Sequence, residues 1–449
     1  MPATLRRYYD RIPPVILAVI ASTFFVGFGG GVIFPILPNL GAFLGISAFM
    51  VGLILSANRF VRLVANAPAG ALVDRYGTRK PFVYGLLIEG IATLGYVVAV
   101  LLPDPERFAY LAVALPTIDL GPVFLGTDQW FWLIAGVVAP ETWFMIARIL
   151  WGLGSAAVFA TAYTIAADVS PAESRGTNMG VVRGGLLLGF PAGMVLGGVV
   201  SAVAGEAIAF GLAAAFAGFA SVVAYVYVPE THVTDSTYRS SVKPWDIETA
   251  IPAVTVGLVN FGMMFTYLGA LFATLVLFLD ARSMFVFGLG AQGTSGIFMA
   301  GTVVAAGISM LIGGRISDQR ASRVPVLMGC LALFVIGFLL LARTGTLAEL
   351  IVACLFIGIG QGGTSGPMMA LLADLMPDER MGRAAGTNNV LGDVGGGLGP
   401  MISLPLVEIV GFTPIYIACA FVPMLAGAIL LFGLKKETGT MLPGHTTSN

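Results

Sequence analysis

The sequence predicts an all-α membrane protein, with twelve transmembrane helices in two pseudo-symmetric six-helix halves. Three observations predict it. Long stretches carry no charge. Lysine and arginine gather on one side of the resulting helices. Two segments recur, in the same order and matching position, in the second half of the chain.

Only 10% of the 449 residues are Asp, Glu, Lys or Arg, and 57% are hydrophobic. Soluble domains carry about 25% charged residues, so a soluble protein is excluded. No charge occurs over 12–58, 207–229, 249–279, 283–314, 324–342, 350–373 or 409–434. A spanning helix needs about 20 apolar residues. Spans are read at 13–38, 48–72, 81–102, 143–168, 178–203, 207–228, 250–279, 286–314, 323–342, 347–373, 384–408 and 411–434. The N-terminal MPATLRRYYDRIPPV is basic and precedes an apolar run, like a signal peptide. That run is too long for a signal core and lacks a small-residue cleavage pattern, so it is read as the first span.

Cytoplasmic loops are enriched in Lys and Arg. Twelve spans put both termini on one side, read as the cytoplasmic side of the cell membrane. Arg107, Arg282 and Arg343 fall on the other side, Arg59, Arg62, Arg148 and Arg183 fall within spans, and the remaining 16 of the 23 basic residues are cytoplasmic. Residues 103–142 are long and half apolar. A thirteenth span near 121–140 would bury Asp128 and Gln129 and turn the later basic loops outward. We read 103–142 as an external insertion, with Trp130 and Trp132 at headgroup level.

The repeat fixes the halves. RILWGLGSAAVFATAYTIAADVSPAESRGTNMG (148–180) aligns without a gap on CLFIGIGQGGTSGPMMALLADLMPDERMGRAAG (354–386), pairing Gly152 with Gly358 and Asp168 with Asp374. GALVDRYGTRKP (70–81) is echoed by GRISDQRASRVP (314–325), pairing Gly70 with Gly314, Asp74 with Asp318 and Arg79 with Arg323. The two offsets differ by about the length of the insertion. The halves are read as 1–228 and 249–449, joined by a polar cytoplasmic linker at 229–248.

Other chemistries find little footing. Net charge is −1, so nucleic acid is not an expected partner. Cys330, Cys354 and Cys419 lie in apolar runs and read as small buried hydrophobes. The two histidines, His232 and His445, sit in loops, so no histidine metal centre is expected. No nucleophile–base pattern and no phosphate-binding loop of the form GxxxxGK[ST] occurs. An enzyme is not expected, and no cofactor.

Two parallel six-helix halves are the architecture of alternating-access transporters, with a substrate site between them near mid-membrane. Here the sequence resembles the major facilitator superfamily along its whole length. GALVDRYGTRKP resembles the signature loop between that family's helices 2 and 3. ARILWGLGSA, with Arg148, Gly152 and Gly154, resembles its helix-4 motif. GVIFPILP and GFPAGMVLGG resemble its 12-helix drug/proton antiporter branch. Two positions depart from the pattern: Trp151 stands where Gln is usual, and Phe190 separates Gly189 from Pro191. The resemblance implies a secondary transporter, with proton-coupled export of an amphiphilic organic solute or drug as the leading reading. A small organic solute, protons and the bilayer are then its partners, and a monomer is expected. The alternatives are an importer or uniporter of a small neutral solute, and a non-transporting receptor or scaffold.

Candidate residues follow from position. In the signature loop Gly77 suits a positive φ. Asp74 ends helix 2, where an acid can face a helix N-terminus. The resemblance makes that helix number 11, with Gly70 allowing close approach and the contact closing the cytoplasmic gate. Arg75, Arg79 and Lys80 can anchor the loop, with Asp168 as a partner; Asp318 and Arg323 are the echo. The plain alternative is a topogenic basic loop. Charges inside spans are costly and are functional candidates. Arg59 and Arg62 share a face of helix 2. Asp393 on helix 11 and Glu89 on helix 3 reach similar depth. Asp393 is expected to pair with Arg59 or Arg62 in one conformation and to couple protons to rocking; the alternative is a permanent structural pair. Glu89 and Arg148 are further coupling candidates, each with a structural alternative, and Arg183 reads as snorkelling to the surface.

Helices 1, 4, 7 and 10 line the family's cavity. They offer Phe25, Phe28, Tyr163, Asn260, Tyr267, Gln361, Thr364 and Met368, besides Phe159, Phe265 and Ser365. This aromatic, weakly polar set suits an amphiphilic or neutral molecule. It does not suit a phosphate or dicarboxylate, which calls for several cavity arginines.

Overall fold

A computed structural model describes residues 14–101, 118–119, 124–125, 139–170, 175–231 and 247–443. The chain start, Trp130 and Trp132 with most of the 103–142 insertion, most of the 229–248 linker with His232, and His445 lie outside the described residues. Twelve helices among the described residues are long and apolar enough to cross a membrane. They are α1 (Pro14–Phe43), α2 (Ala48–Tyr76), α3 (Arg79–Leu101), α4 (Pro140–Asp168), α5 (Arg175–Ala204) and α6 (Glu206–Tyr227) in the first half. The second half holds α7 (Ile251–Ala281), α8 (Gly290–Asp318), α9 (Val324–Arg343), α10 (Leu347–Leu375), α11 (Asp378–Val410) and α12 (Phe412–Thr438). Two short strands, β1 (Ile118–Asp119) and β2 (Phe124–Leu125), pair antiparallel between α3 and α4.

Local chemistry sets the ends. Ser47 caps α2 by accepting the Met50 N–H, and Thr346 with Glu349 forms a reciprocal capping box on α10. Helix α11 begins at Asp378, six residues before the expected 384. Its first turn carries Asp378 and Glu379, whose charges favour a helix N-terminus. Helix α1 continues through Pro35 and Pro38 to Phe43. Neighbouring helices re-satisfy backbone groups freed by proline in a membrane. Helix α7 contains a π-helical turn, Phe265–Leu271.

Glycines let backbones meet. Gly27 and Gly31 of α1 lie against α5 carbonyls, and Gly185, Gly189 and Gly193 of α5 lie against the carbonyls of Ile20, Phe24 and Phe28. The four-residue spacing puts each set on one helix face. Helices in lipid associate through such close van der Waals fit, because lipid tails are as apolar as leucine. Helices α7 and α11 repeat the device: Gly395 lies against the Phe261 carbonyl, and Gly269 against Gly399 within the π-helical turn. All three cysteines are free; Cys354 and Cys419 are buried, and Cys330 is half-buried.

Candidate functional site

The halves meet along α5–α8 and α2–α11. We call the end carrying the α2–α3 and α8–α9 turns, with Arg75, Lys80, Arg315 and Arg320, the basic end. Both seams are closed toward the opposite end. A Cβ on Gly52 would stand 2.5 Å from the Pro400 oxygen, and the Ser56 hydroxyl donates to the Gly397 carbonyl. On the other seam, a Cβ on Gly198 would stand 2.5 Å from the Gln292 oxygen. The Ser201 hydroxyl donates to Gln292 Oε1 at 2.7 Å, and Gln292 Nε2 donates to Glu206 at 3.1 Å. Toward the basic end the same helices part. At Gly70, Gly184, Gly314, Gly382 and Gly386, no heavy atom lies within 4 Å of where a Cβ would stand.

Between the seams lies a cavity of about 660 Å³, a volume suited to a drug-sized organic molecule. Helix α1 gives it Gly27, Gly30 and Phe34; α4 gives Arg148, Trp151, Phe159 and Tyr163; α5 gives Arg183 and Phe190. Helix α2 adds Asn58, Arg59, Arg62 and Asn66. Across the cavity stand Asn260 and Met264 of α7 and Asn389, Gly392 and Asp393 of α11.

The charges at mid-depth form one unit. Arg59 Nη1 donates to Asp393 Oδ1 at 3.0 Å, and Arg62 Nη2 donates to the same oxygen at 2.7 Å. One carboxylate thus faces two guanidiniums across the α2–α11 seam. Arg62 also lies over the Phe159 ring at 5.6 Å, and its Nε has no partner among the described residues. The three residues are shielded but open to the cavity, with side chains 16–19% exposed.

Arg148 is placed differently. It is 2% exposed, and its Nε and Nη2 donate to α2. Nε reaches the Ile54 carbonyl at 3.1 Å; Nη2 reaches the Leu55 carbonyl at 2.9 Å and Asn58 Oδ1 at 2.7 Å. Its guanidinium also covers the Trp151 ring. Glu89 is buried between α3 and α4, beside Gly154; its Oε1 has no partner among the described residues, and it does not line the cavity.

In the signature loop the seam is open and one expected partner is replaced. Asp74 is exposed and has no partner among the described residues, and Gly70 approaches nothing, because the seam is open here. The N-terminus of α11 already holds Asp378 and Glu379 in its first turn. Arg79 donates to the Tyr225 carbonyl at 2.6 Å and covers the Tyr225 ring, rather than meeting Asp168; Asp168 accepts from Thr231 at 3.0 Å. Arg75 covers the neighbouring Tyr76 ring, and Lys80 is exposed. Gly77 does take a positive φ, +80°, and a Cβ there would overlap the Glu230 carboxylate. That carboxylate caps α3 by accepting from Thr78 N at 2.7 Å. The echo loop keeps its ion pairs: Arg323 reaches Asp318 at 2.5 Å and Asp374 at 2.6 Å.

Glu248, just before α7, was not legible as a site residue. It is buried and takes both Arg380 and Arg383 of α11, while its own N–H donates to Thr387 at 2.8 Å. The hydrogen bonds from Arg380 hold its carboxyl below the usual carboxylate range. A lowered folded value stabilises the fold above the unfolded value and is lost as pH falls through the folded one. Thermal stability of wild type over Glu248→Gln should therefore be constant above about pH 6 and shrink below about pH 4. A difference that grows on acidification would contradict this pairing.

Of the expected cavity residues, the structure brings Tyr163 and Asn260 to the wall, with Phe159. Phe25 and Phe28 instead pack on Phe216 of α6. Tyr267 packs on Phe272, and Gln361, Thr364 and Met368 are buried in the second half. Helix α10 turns this segment toward α8 and α9, where Gly362 meets Ala306 and Gly363 meets Cys330. The larger correction is electrostatic: the several arginines thought absent are present, from helices α2, α4 and α5.

A twelve-helix bundle in two halves, with a central cavity closed at one end and open at the other, defines a membrane carrier. The chain belongs to the Major Facilitator Superfamily, whose model matches residues 19–116, 122–400 and 293–445. It is 23% identical over 427 residues to Multidrug resistance protein 2 of Bacillus subtilis (strain 168), covering 93% of each chain. Among solved structures it is similar to a bacterial homolog of the human lysosomal transporter Spinster in an inward-facing, occupied conformation. That likeness has a TM-score of 0.71, 14% identity and coverage of 94% and 96%. The human organic anion transporter MFSD10 (TETRAN) gives a TM-score of 0.58 at 18% identity, covering 93% and 98%.

Proposed function

We propose that this transporter works by alternating access, that it exports an organic solute from the cytoplasm in exchange for protons, and that Asp393 is its proton site. The basic end is then cytoplasmic, by the enrichment of Lys and Arg in cytoplasmic loops, and the cavity faces inward. The observation that carries the reading is the Arg59–Asp393–Arg62 unit, which ties the two halves across a seam and also lines the cavity. A proton on Asp393 removes the charge that both guanidiniums face and leaves two cations side by side. The seam then loosens and the halves are free to rock. The relative named for multidrug resistance supports export and an organic solute.

The test needs no substrate. Spin labels at Tyr76→Cys and Glu379→Cys, at the basic ends of α2 and α11, report the cytoplasmic mouth in a background lacking the native cysteines. Acidification should shift wild type from long toward short distances. Asp393→Asn should fold normally, and its distances should no longer respond to pH. A wild-type pH response retained in full by Asp393→Asn would remove Asp393 from coupling.

A further inference from the structure

We infer that the solute is an amphiphilic organic anion and that Arg183 is its charge partner. This rests on the transporter reading above. The cavity wall carries four guanidiniums, Arg59, Arg62, Arg148 and Arg183, against one carboxylate, Asp393. Asp393 serves Arg59 and Arg62 together. Arg148 gives its donors to neutral acceptors on α2, so no carboxylate matches its charge. Arg183 lines the cavity and makes no hydrogen bond or ion pair among the described residues. The remaining buried carboxyl nearby, Glu89, is packed between α3 and α4 behind the wall, where the cavity arginine that acts on it is Arg62, already matched by Asp393.

Ionisable groups at membrane depth are costly, and a cleft with one sign of charge and low-dielectric walls concentrates the opposite ion. An organic cation entering this cavity meets like charge on three helices. An anion completes the set. Arg183 is free to take its acidic group. Asn66 and Asn389, which line the same cavity and make no side-chain hydrogen bond among the described residues, offer further donors. Phe159, Phe190 and Trp151 supply an apolar wall for the rest of the molecule. Arg59 and Arg62 stay with Asp393, so solute and proton occupy separate partners.

The probe is a pair of thiol reagents differing in charge, the sulfonatoethyl and trimethylammonioethyl methanethiosulfonates. They react with Asn389→Cys in the cavity wall, in an uncharged detergent and without the native cysteines. Each rate is divided by that on a free small thiol, so the reactivity of the thiolate cancels in the ratio. The anionic reagent should be favoured about 10-fold or more. Arg183→Gln should cut that preference several-fold, and Arg183→Lys should keep it, which a merely structural arginine would not do. Equal rates or a preference for the cation would overturn the anion assignment and leave the transporter reading standing. Failure of both reagents to react, at Asn389→Cys and at Asn66→Cys alike, would overturn the open cavity and both readings with it.

Discussion

Gly189→Val protein should be recovered in detergent mainly as aggregate, while Gly184→Val, on the same helix, should elute like wild type. A Cβ at Gly189 overlaps the Phe24 carbonyl oxygen, and its neighbours on the same helix face, Gly185 and Gly193, also sit against α1 carbonyls. Nothing flexible lies in the way: the obstacle is helix backbone. Valine would force α1 and α5 apart along the whole contact. Overpacking costs about 1–3 kcal/mol where side chains can yield, and here they cannot. The lost fit is also the main force joining helices in lipid. At Gly184 no heavy atom lies within 4 Å of the added carbon, so the same substitution has room. Size-exclusion profiles of the two variants decide it; equal behaviour would show that the α1–α5 approach is looser than described.

Arg148→Leu should lower thermal stability more than any other single removal of a cavity charge. Arg148 is almost fully buried and bonds two α2 carbonyls and Asn58. Hydrogen bonds from a charged group contribute about 1.5–3 kcal/mol each. Relief of desolvation offsets part of that loss, leaving a net cost of several kcal/mol. Lysine keeps the charge but not the fork, so Arg148→Lys should recover only a minor part. Unfolding curves in an uncharged detergent separate the roles. A residue that serves only coupling would leave both variants as stable as wild type while abolishing the response to pH.

Much of the fold was legible in the sequence, for definite reasons. Uncharged runs mark spans because charge is expensive in hydrocarbon, and the twelve expected spans match the twelve described spanning helices with ends differing by six residues at most. Asp393 and the two α2 arginines were found together because depth along a helix follows from counting residues. The cavity wall was less legible, because depth does not give rotation about the helix axis. Gln361, Thr364 and Met368 lie on the expected helix but face into its own half. Arg183 was read by depth as snorkelling, yet its position on a seam helix brings it to the cavity. The signal was available: an arginine eight residues inside α5 on a helix that meets the other half. Glu230 and Glu248 were missed because each acts on a helix distant in sequence: Glu230 caps α3, and Glu248 pairs with arginines of α11.

Asp74 has no partner among the described residues, and its echo Asp318 does. The difference is local: Arg323 pairs with Asp318 inside its own loop, whereas the matching Arg79 turns to the Tyr225 carbonyl.

The most direct test of alternating access adds a second pair of spin labels, at Phe43→Cys and Ile409→Cys, exposed at the opposite ends of α1 and α11. It is read beside the Tyr76–Glu379 pair over the same acidification. The expected result is reciprocal: as the basic end narrows, the opposite end widens, and the two populations exchange in equal proportion. Distances that narrow at both ends together, or an opposite end that never opens while the basic end moves, would contradict alternating access for this protein.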